Sequence, residues 1–189
     1  MRQTQRMSAV ALLTAEELER RPRDDSRYEL VEGRLIRMSP LGFEHARVVA
    51  RLISLLERFV RERDLGFVLP ELGVKLASDP DTVRAPDVAF VRRDRIPTPA
   101  PRGFLAGAAD MAIEVLSPED RRRRVAAKID EYLTAGTTVV LIVDPARRVI
   151  TAHRRLSPAV TSAAADAIID LGDVVPGVTL RLGDVFDDR

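Results

Sequence analysis

Two acids and one lysine in the middle of the chain carry the strongest chemical signal. Asp87 follows Pro86 at the head of the apolar run Val88-Ala89-Phe90-Val91, and Glu114 interrupts a second run, Met111-Ala112-Ile113-Glu114-Val115-Leu116. Lys128 follows on an amphipathic stretch. Lysine is scarce: of 30 Lys+Arg residues only Lys75 and Lys128 are lysine, so Lys128 is conspicuous where arginine is the usual cation. Glu29, between Tyr28 and Leu30, is a further acidic candidate. Carboxylates that share a divalent ion, with an ammonium beside them, are the parts of metal-assisted phosphodiester cleavage.

The chemistry depends on where these groups sit. Glu114 has apolar neighbours on both sides, so its strand is expected to be central. An ionised carboxylate there must be paired, bound to metal or protonated. Asp87 opens another apolar strand, and a proline before it is tolerated at a strand start or edge. If the two strands are neighbours, both carboxylates reach one ion. Oxygen ligands suit Mg²⁺ or Mn²⁺, which keep waters and substrate oxygens in their other positions. Lys128 is expected on the helix after the Glu114 strand, where a compact ammonium can orient water or steady phosphoryl charge.

The elements around these residues can be read along the chain. Residues 1–13 form a loose lead-in, and 14–189 form one domain. Thr14-Ala15-Glu16-Glu17 fits a capping box that starts a short helix ending near Pro22. Residues 28–31 and 34–38 read as two strands of a hairpin around Glu32-Gly33. Residues 44–63 give the clearest helix, with Val48, Val49, Leu52, Ile53, Leu55, Leu56, Phe59 and Val60 on one face. Short β-like runs follow at 67–69, 73–77 and 87–91. After the strand at 111–116, Ser117-Pro118-Glu119-Asp120 opens a helix that runs to Ala135 and stops at Gly136. Residues 138–143 are a continuous β-branched run, as in a buried strand. Residues 149–153 are expected to pair with it. Weak strand signals occur near 168–169 and 178–182, with a turn of helix at 183–186. The order predicts an α/β or mixed α+β fold with a central mixed sheet flanked by helices.

Composition narrows the class. The chain has 189 residues, 46% hydrophobic and 31% charged, with a net charge of +1 and no cysteine. That length supports one well-buried core. The charge balance is neutral on nucleic acid, so any basic surface must come from local clustering. Without cysteine, disulfides and cysteine-based zinc sites are excluded. The longest apolar run, 139–143, is too short to span a membrane. The brief apolar run 10–13 is no signal peptide. A cytoplasmic protein is expected.

The quoted residues carry a resemblance. Tyr28-Glu29-Leu30-Val31-Glu32-Gly33, Arg84-Ala85-Pro86-Asp87-Val88, Glu114-Val115-Leu116-Ser117-Pro118 and Lys128-Ile129-Asp130-Glu131-Tyr132 occur in that order. The set resembles the Uma-two family of candidate restriction endonucleases, in the PD-(D/E)XK nuclease superfamily, over roughly residues 14–186. The resemblance implies a restriction-endonuclease-like core with metal ligands at strand ends. Asp87 matches the motif aspartate, Glu114 the second acid and Glu29 an acidic position near the family's N-terminal end. The usual lysine two positions after the second acid is absent, and Leu116 stands there. In this family the lysine is displaced to the following helix, here Lys128. Members often carry Trp in the strand before Asp144, whereas this chain has none.

Each residue also has a plainer reading. Asp87 is a turn aspartate, Glu114 a buried glutamate paired with arginine, Lys128 a solvated helix residue beside Glu131 or Tyr132, and Glu29 an exposed hairpin acid. His45 opens the long helix as a base, a phosphate contact or merely a cap. His153 and Asp144 read more simply as strand and turn residues. Arg121 to Arg124 either grip phosphates or face solvent. Ser117 lacks the glycines of a nucleophile elbow.

The expected function is Mg²⁺- or Mn²⁺-dependent hydrolysis of DNA. Asp87, Glu114 and Glu29 are the metal ligands, and Asp87, Glu114 and Lys128 the catalytic set. DNA is the substrate, a homodimer the expected assembly, and neither membrane nor small-molecule cofactor is involved. The alternatives are a non-catalytic DNA- or protein-binding module on the same fold, and hydrolysis of a small phosphoester.

Overall fold

A computed structural model describes residues 12–22, 24, 26–118, 120 and 122–187. Most of the expected lead-in, residues 1–11, lies outside the described residues, as do Glu119 and Arg121 of the expected helix start. The capping box at Thr14 is formed. The Thr14 hydroxyl accepts the Glu17 N–H, the Glu17 carboxylate accepts the Thr14 N–H, and α1 runs Ala15–Arg20. The hairpin follows as β1 (Tyr28–Val31) and β2 (Arg34–Arg37), with Val31 opposite Arg34. Its two-residue turn puts Glu32 at φ 49° and Gly33 at φ 73°, the left-handed pair that matches strand twist. The long amphipathic helix is α2 (Phe43–Glu62).

The remaining strands are β3 (Gly66–Pro70), β4 (Val74–Ala77), β5 (Thr82–Arg84), β6 (Val88–Arg92), β7 (Leu105–Ala106) and β8 (Met111–Val115). After α3 (Arg122–Ala135) come β9 (Val139–Asp144), β10 (Val149–Arg154), β11 (Ser157–Ser162), β12 (Ile168–Asp170), β13 (Thr179–Arg181) and α4 (Leu182–Phe186).

These strands build two mixed sheets and a small pair, β12–β13, where the sequence signalled one central sheet. The six-stranded sheet has the order β11-β10-β9-β8-β6-β3, and its one parallel pairing is β8–β9, joined through α3. The five-stranded sheet has the order β2-β1-β5-β4-β7. The second sheet escaped the sequence because β5 and β7 are only three and two residues long. A strand that short shows no alternation to read.

Alternation then divides the core. Met111, Ile113 and Val115 of β8, with Val139, Leu141 and Val143 of β9, face Val48, Leu52, Leu56 and Val60 of α2. Ala112 of β8 and Val140 and Ile142 of β9 face the other way, packing with Tyr132 of α3 and with Val74 and Leu105 of the second sheet. Glu114 shares the parity of Ala112. It therefore points toward α3 and the five-stranded sheet.

Candidate active site

β8 is flanked by β6 and β9, so Glu114 stands in the middle of the larger sheet, as its apolar surroundings predict. It is nearly buried and both oxygens are engaged. Lys128 Nζ donates to Oε2 at 2.9 Å, and the Tyr132 hydroxyl donates to Oε1 at 2.8 Å. Lys128 and Tyr132 are four residues apart on α3, hence on the same face. Neither pairs with the other, and among the described residues no arginine meets Glu114; the lysine and the phenol both converge on the acid. Burial pushes the Glu114 carboxyl up to about 7, and the negative charge of Asp87 and Glu29 pushes the same way. The Lys128 ammonium opposes this but does not cancel it. Lys128 itself loses some basicity to burial, which Glu114 and Glu29 more than offset, so its pKa lies above the ordinary lysine range. Tyr132 is raised well above its usual value, by burial first and by Glu114 next.

Glu29, on β1, reaches the same place from the second sheet. It is 1% exposed, unlike a surface hairpin acid. Its Oε1 lies 3.2 Å from Lys128 Nζ and accepts the Ala85 N–H at 3.3 Å. Its Oε2 accepts from Arg84 Nη1 at 2.7 Å. Arg84, at the end of β5, also grips Glu131 of α3 with Nε at 2.6 Å and Nη2 at 2.8 Å, a bidentate fork. Lys128, Glu131 and Tyr132 thus present one helix face to both sheets.

Asp87 is held at the end of β6. The β6–β8 ladder pairs Val88 with Ile113, and the next step of that register sets Asp87 opposite Glu114. Asp87 Oδ2 accepts the Val115 N–H at 2.7 Å. Its Oδ1 lies 3.1 Å from His45 Nε2, and His45 Nδ1 lies 3.1 Å from Ser117 Oγ. His45 is buried at the first turn of α2, so it is neither a cap nor a surface residue.

Three carboxyl groups, Glu29, Glu114 and Glu131, therefore pair with two cationic side chains, Arg84 and Lys128, and Asp87 lies across the ladder from Glu114. Burial is the first cause of the raised Glu114 pKa, and an excess of negative charge from Asp87 and Glu29 adds to it. That excess, with oxygen donors on two adjacent strand ends, fits a hard divalent ion. Among the described residues no group of three or more His, Asp or Glu side chains is arranged to hold one. The pair that fits is Asp87 and Glu114, leaving the other positions to water and phosphate oxygens, as Mg²⁺ accepts. Glu29, whose oxygens are engaged like those of Glu114, also anchors Lys128 and Arg84.

The structure brings Glu29, Asp87, Glu114 and Lys128 together. It also adds Arg84, Glu131, Tyr132 and His45. The spacing 128, 131, 132 was the available signal for the α3 face; nothing in the sequence paired Arg84 with two glutamates on different elements. Arg122, Arg123 and Arg124 are exposed, and Arg121 of that run lies outside the described residues. Asp144 accepts the Arg147 N–H at 3.0 Å, as a turn residue does. His153 pairs with Val140 in the β9–β10 ladder, and burial lowers its pKa.

Comparison with known proteins agrees with this architecture. The profile of Uma2, described as "Putative restriction endonuclease", matches residues 15–183. A crystal structure described as "a putative nuclease belonging to DUF820", from Anabaena variabilis, superposes with a TM-score of 0.80 at 22% sequence identity. The match covers 92% of this chain and 97% of that one, and it establishes a shared fold. No curated protein matches the chain.

Proposed function

We propose, from the premise that this chain belongs to the Uma2 family, that it is a Mg²⁺- or Mn²⁺-dependent endonuclease acting on DNA. The observation that carries this reading is the return of Lys128, fourteen positions beyond Glu114, to 2.9 Å from that acid, beside Glu29 and near Asp87. A lysine on the neighbouring helix thereby stands at the acid pair although Leu116 occupies the usual lysine position.

Asp87 and Glu114 would hold the ion, which supplies Lewis acidity toward a phosphate oxygen and lowers the pKa of bound water. The chain's own groups do the rest. Lys128 has three N–H donors. Glu114 and Glu29 take two, and the third is left for a water or a phosphoryl oxygen. Tyr132 fixes the rotamer of Glu114. Glu29 fixes Lys128 and, through Arg84, ties Glu131 of α3 to the second sheet. The exposed arginines at 122–124 would contact phosphates flanking the cleaved bond. Two copies would present one site to each strand.

Purified protein with Mg²⁺ or Mn²⁺ is expected to nick supercoiled plasmid. Glu114→Ala and Lys128→Ala are expected to lose that activity by at least about a hundredfold, the scale of a positioned electrostatic group. Equal cutting by those variants would sink the assignment.

A second reading has its own observation. Every oxygen of Glu29 and Glu114 already has a protein partner. A nucleic-acid- or protein-binding module with a purely structural acid cluster would look the same, and metal binding separates the two.

A further inference from the structure

We propose that His45 and Ser117 form a fixed relay that holds the Asp87 carboxylate in position for a divalent cation. The proposal rests on the metal-dependent reading and deepens it, because neither residue belongs to the acid-and-lysine set.

Asp87 needs such support. It lies one residue before β6, after Pro86, outside the hydrogen-bonded ladder. One of its oxygens is fixed by the Val115 N–H at 2.7 Å, and the other meets His45 Nε2 at 3.1 Å. An ionised carboxylate only accepts, so the imidazole proton belongs on Nε2. With the proton on Nε2, Nδ1 is the acceptor of that tautomer, and the Ser117 hydroxyl 3.1 Å away can donate to it. Asp87 thus selects the tautomer, Ser117 adapts to it and buttresses the ring, and His45 orients the carboxylate. With both oxygens held from different elements, α2 and β8, Asp87 has one orientation and keeps free lone pairs on each oxygen.

The relay also links the two acids. Ser117 stands three residues after Glu114, on the connection from β8 to α3, and His45 stands in the first turn of α2. A shift of α2 therefore moves Asp87 relative to Glu114. The imidazole is 7% exposed, and a buried polar ring is normally kept only where both nitrogens are satisfied. A histidine that merely filled space would be replaceable by any side chain of its volume. The relay instead demands a donor at the position of Nε2. A glutamine amide reaches that position and an asparagine amide does not.

The test measures Mn²⁺ affinity, by the electron paramagnetic resonance of free ion, together with the melting temperature of metal-free protein. His45→Ala and His45→Asn are expected to weaken Mn²⁺ binding by about 10–100-fold, the usual effect of removing a partner that orients a ligand. His45→Gln is expected to stay within a factor of a few of wild type. The melting curves confirm that each variant is folded. Wild-type affinity in His45→Ala or His45→Asn overturns the relay while leaving the metal reading intact. A His45→Gln variant that folds but binds as poorly as His45→Ala also overturns it. A wild-type protein that binds no Mn²⁺ overturns the metal reading and the relay together. Nitrogen-15 spectra showing His45 Nε2 without a proton overturn the relay independently of metal.

Discussion

Glu114 concentrates the electrostatic cost of the site. Burial raises its pKa from the usual 4.5 to about 7, and one close ammonium does not reverse that. The sign of the linkage follows. The folded state holds a proton on Glu114 that the unfolded chain releases near 4.5. The contribution of this group to stability is therefore full below about pH 4.5 and is lost as pH rises through about 7. Glu114→Gln removes the titration but keeps an oxygen for Lys128 and Tyr132. The difference in melting temperature, variant minus wild type, is expected to grow between pH 5 and pH 8 in metal-free protein. A flat difference would show that Glu114 ionises normally. At this scale the sequence was legible where a residue broke its local pattern: an acid in an apolar strand, and a lysine in an arginine-rich chain. Arg84 and Glu131 broke no pattern. Arginines and glutamates abound here, so their bridging role stayed hidden until β5 and α3 were placed side by side.

Among the elements, the β1–β2 hairpin and α3 decide whether the site exists. The hairpin delivers Glu29, and its turn depends on Gly33. At φ 73° a side chain is disfavoured, and an added Cβ would lie 2.6 Å from Leu12 Cβ. Gly33→Ala is expected to destabilise the fold by at least about 1–2 kcal/mol, the left-handed penalty for a residue with a Cβ, as measured by urea denaturation. Were the variant as stable as wild type, the hairpin could not be the rigid support that Glu29 needs. The long helices and the buried strands were readable because their periodicity extends over many residues. β11 was not, because its residues are exposed or half-buried and carry no alternation. The helix α3 was readable as a helix but not as a bridge. Its moderate apolar face gave no hint that Lys128, Glu131 and Tyr132 would serve two sheets at once.

For the whole molecule, the site is the seam where α2, α3 and the two sheets meet, so the proposed metal binding would be linked to global stability. An ion that binds only the folded protein stabilises it. With Mn²⁺ at about 100 times its Kd the gain is about 2.7 kcal/mol. For a chain of this length that corresponds to a rise in melting temperature of about 5–10 °C. Asp87→Ala is expected to abolish the shift. No shift in wild type would favour the binding-module reading. The sequence alone determined the ordered acid-and-lysine set, the family it resembles, and the apolar strand that makes Glu114 central. Those properties are local, written in residue type and in periods of two and 3.6. Only the tertiary structure decided that Glu29 is buried as an anchor, that Arg84 clasps both Glu29 and Glu131, and that His45 stands behind Asp87. Such pairings join residues 42 to 72 positions apart. They depend on how two sheets and two helices dock, and no local pattern encodes that.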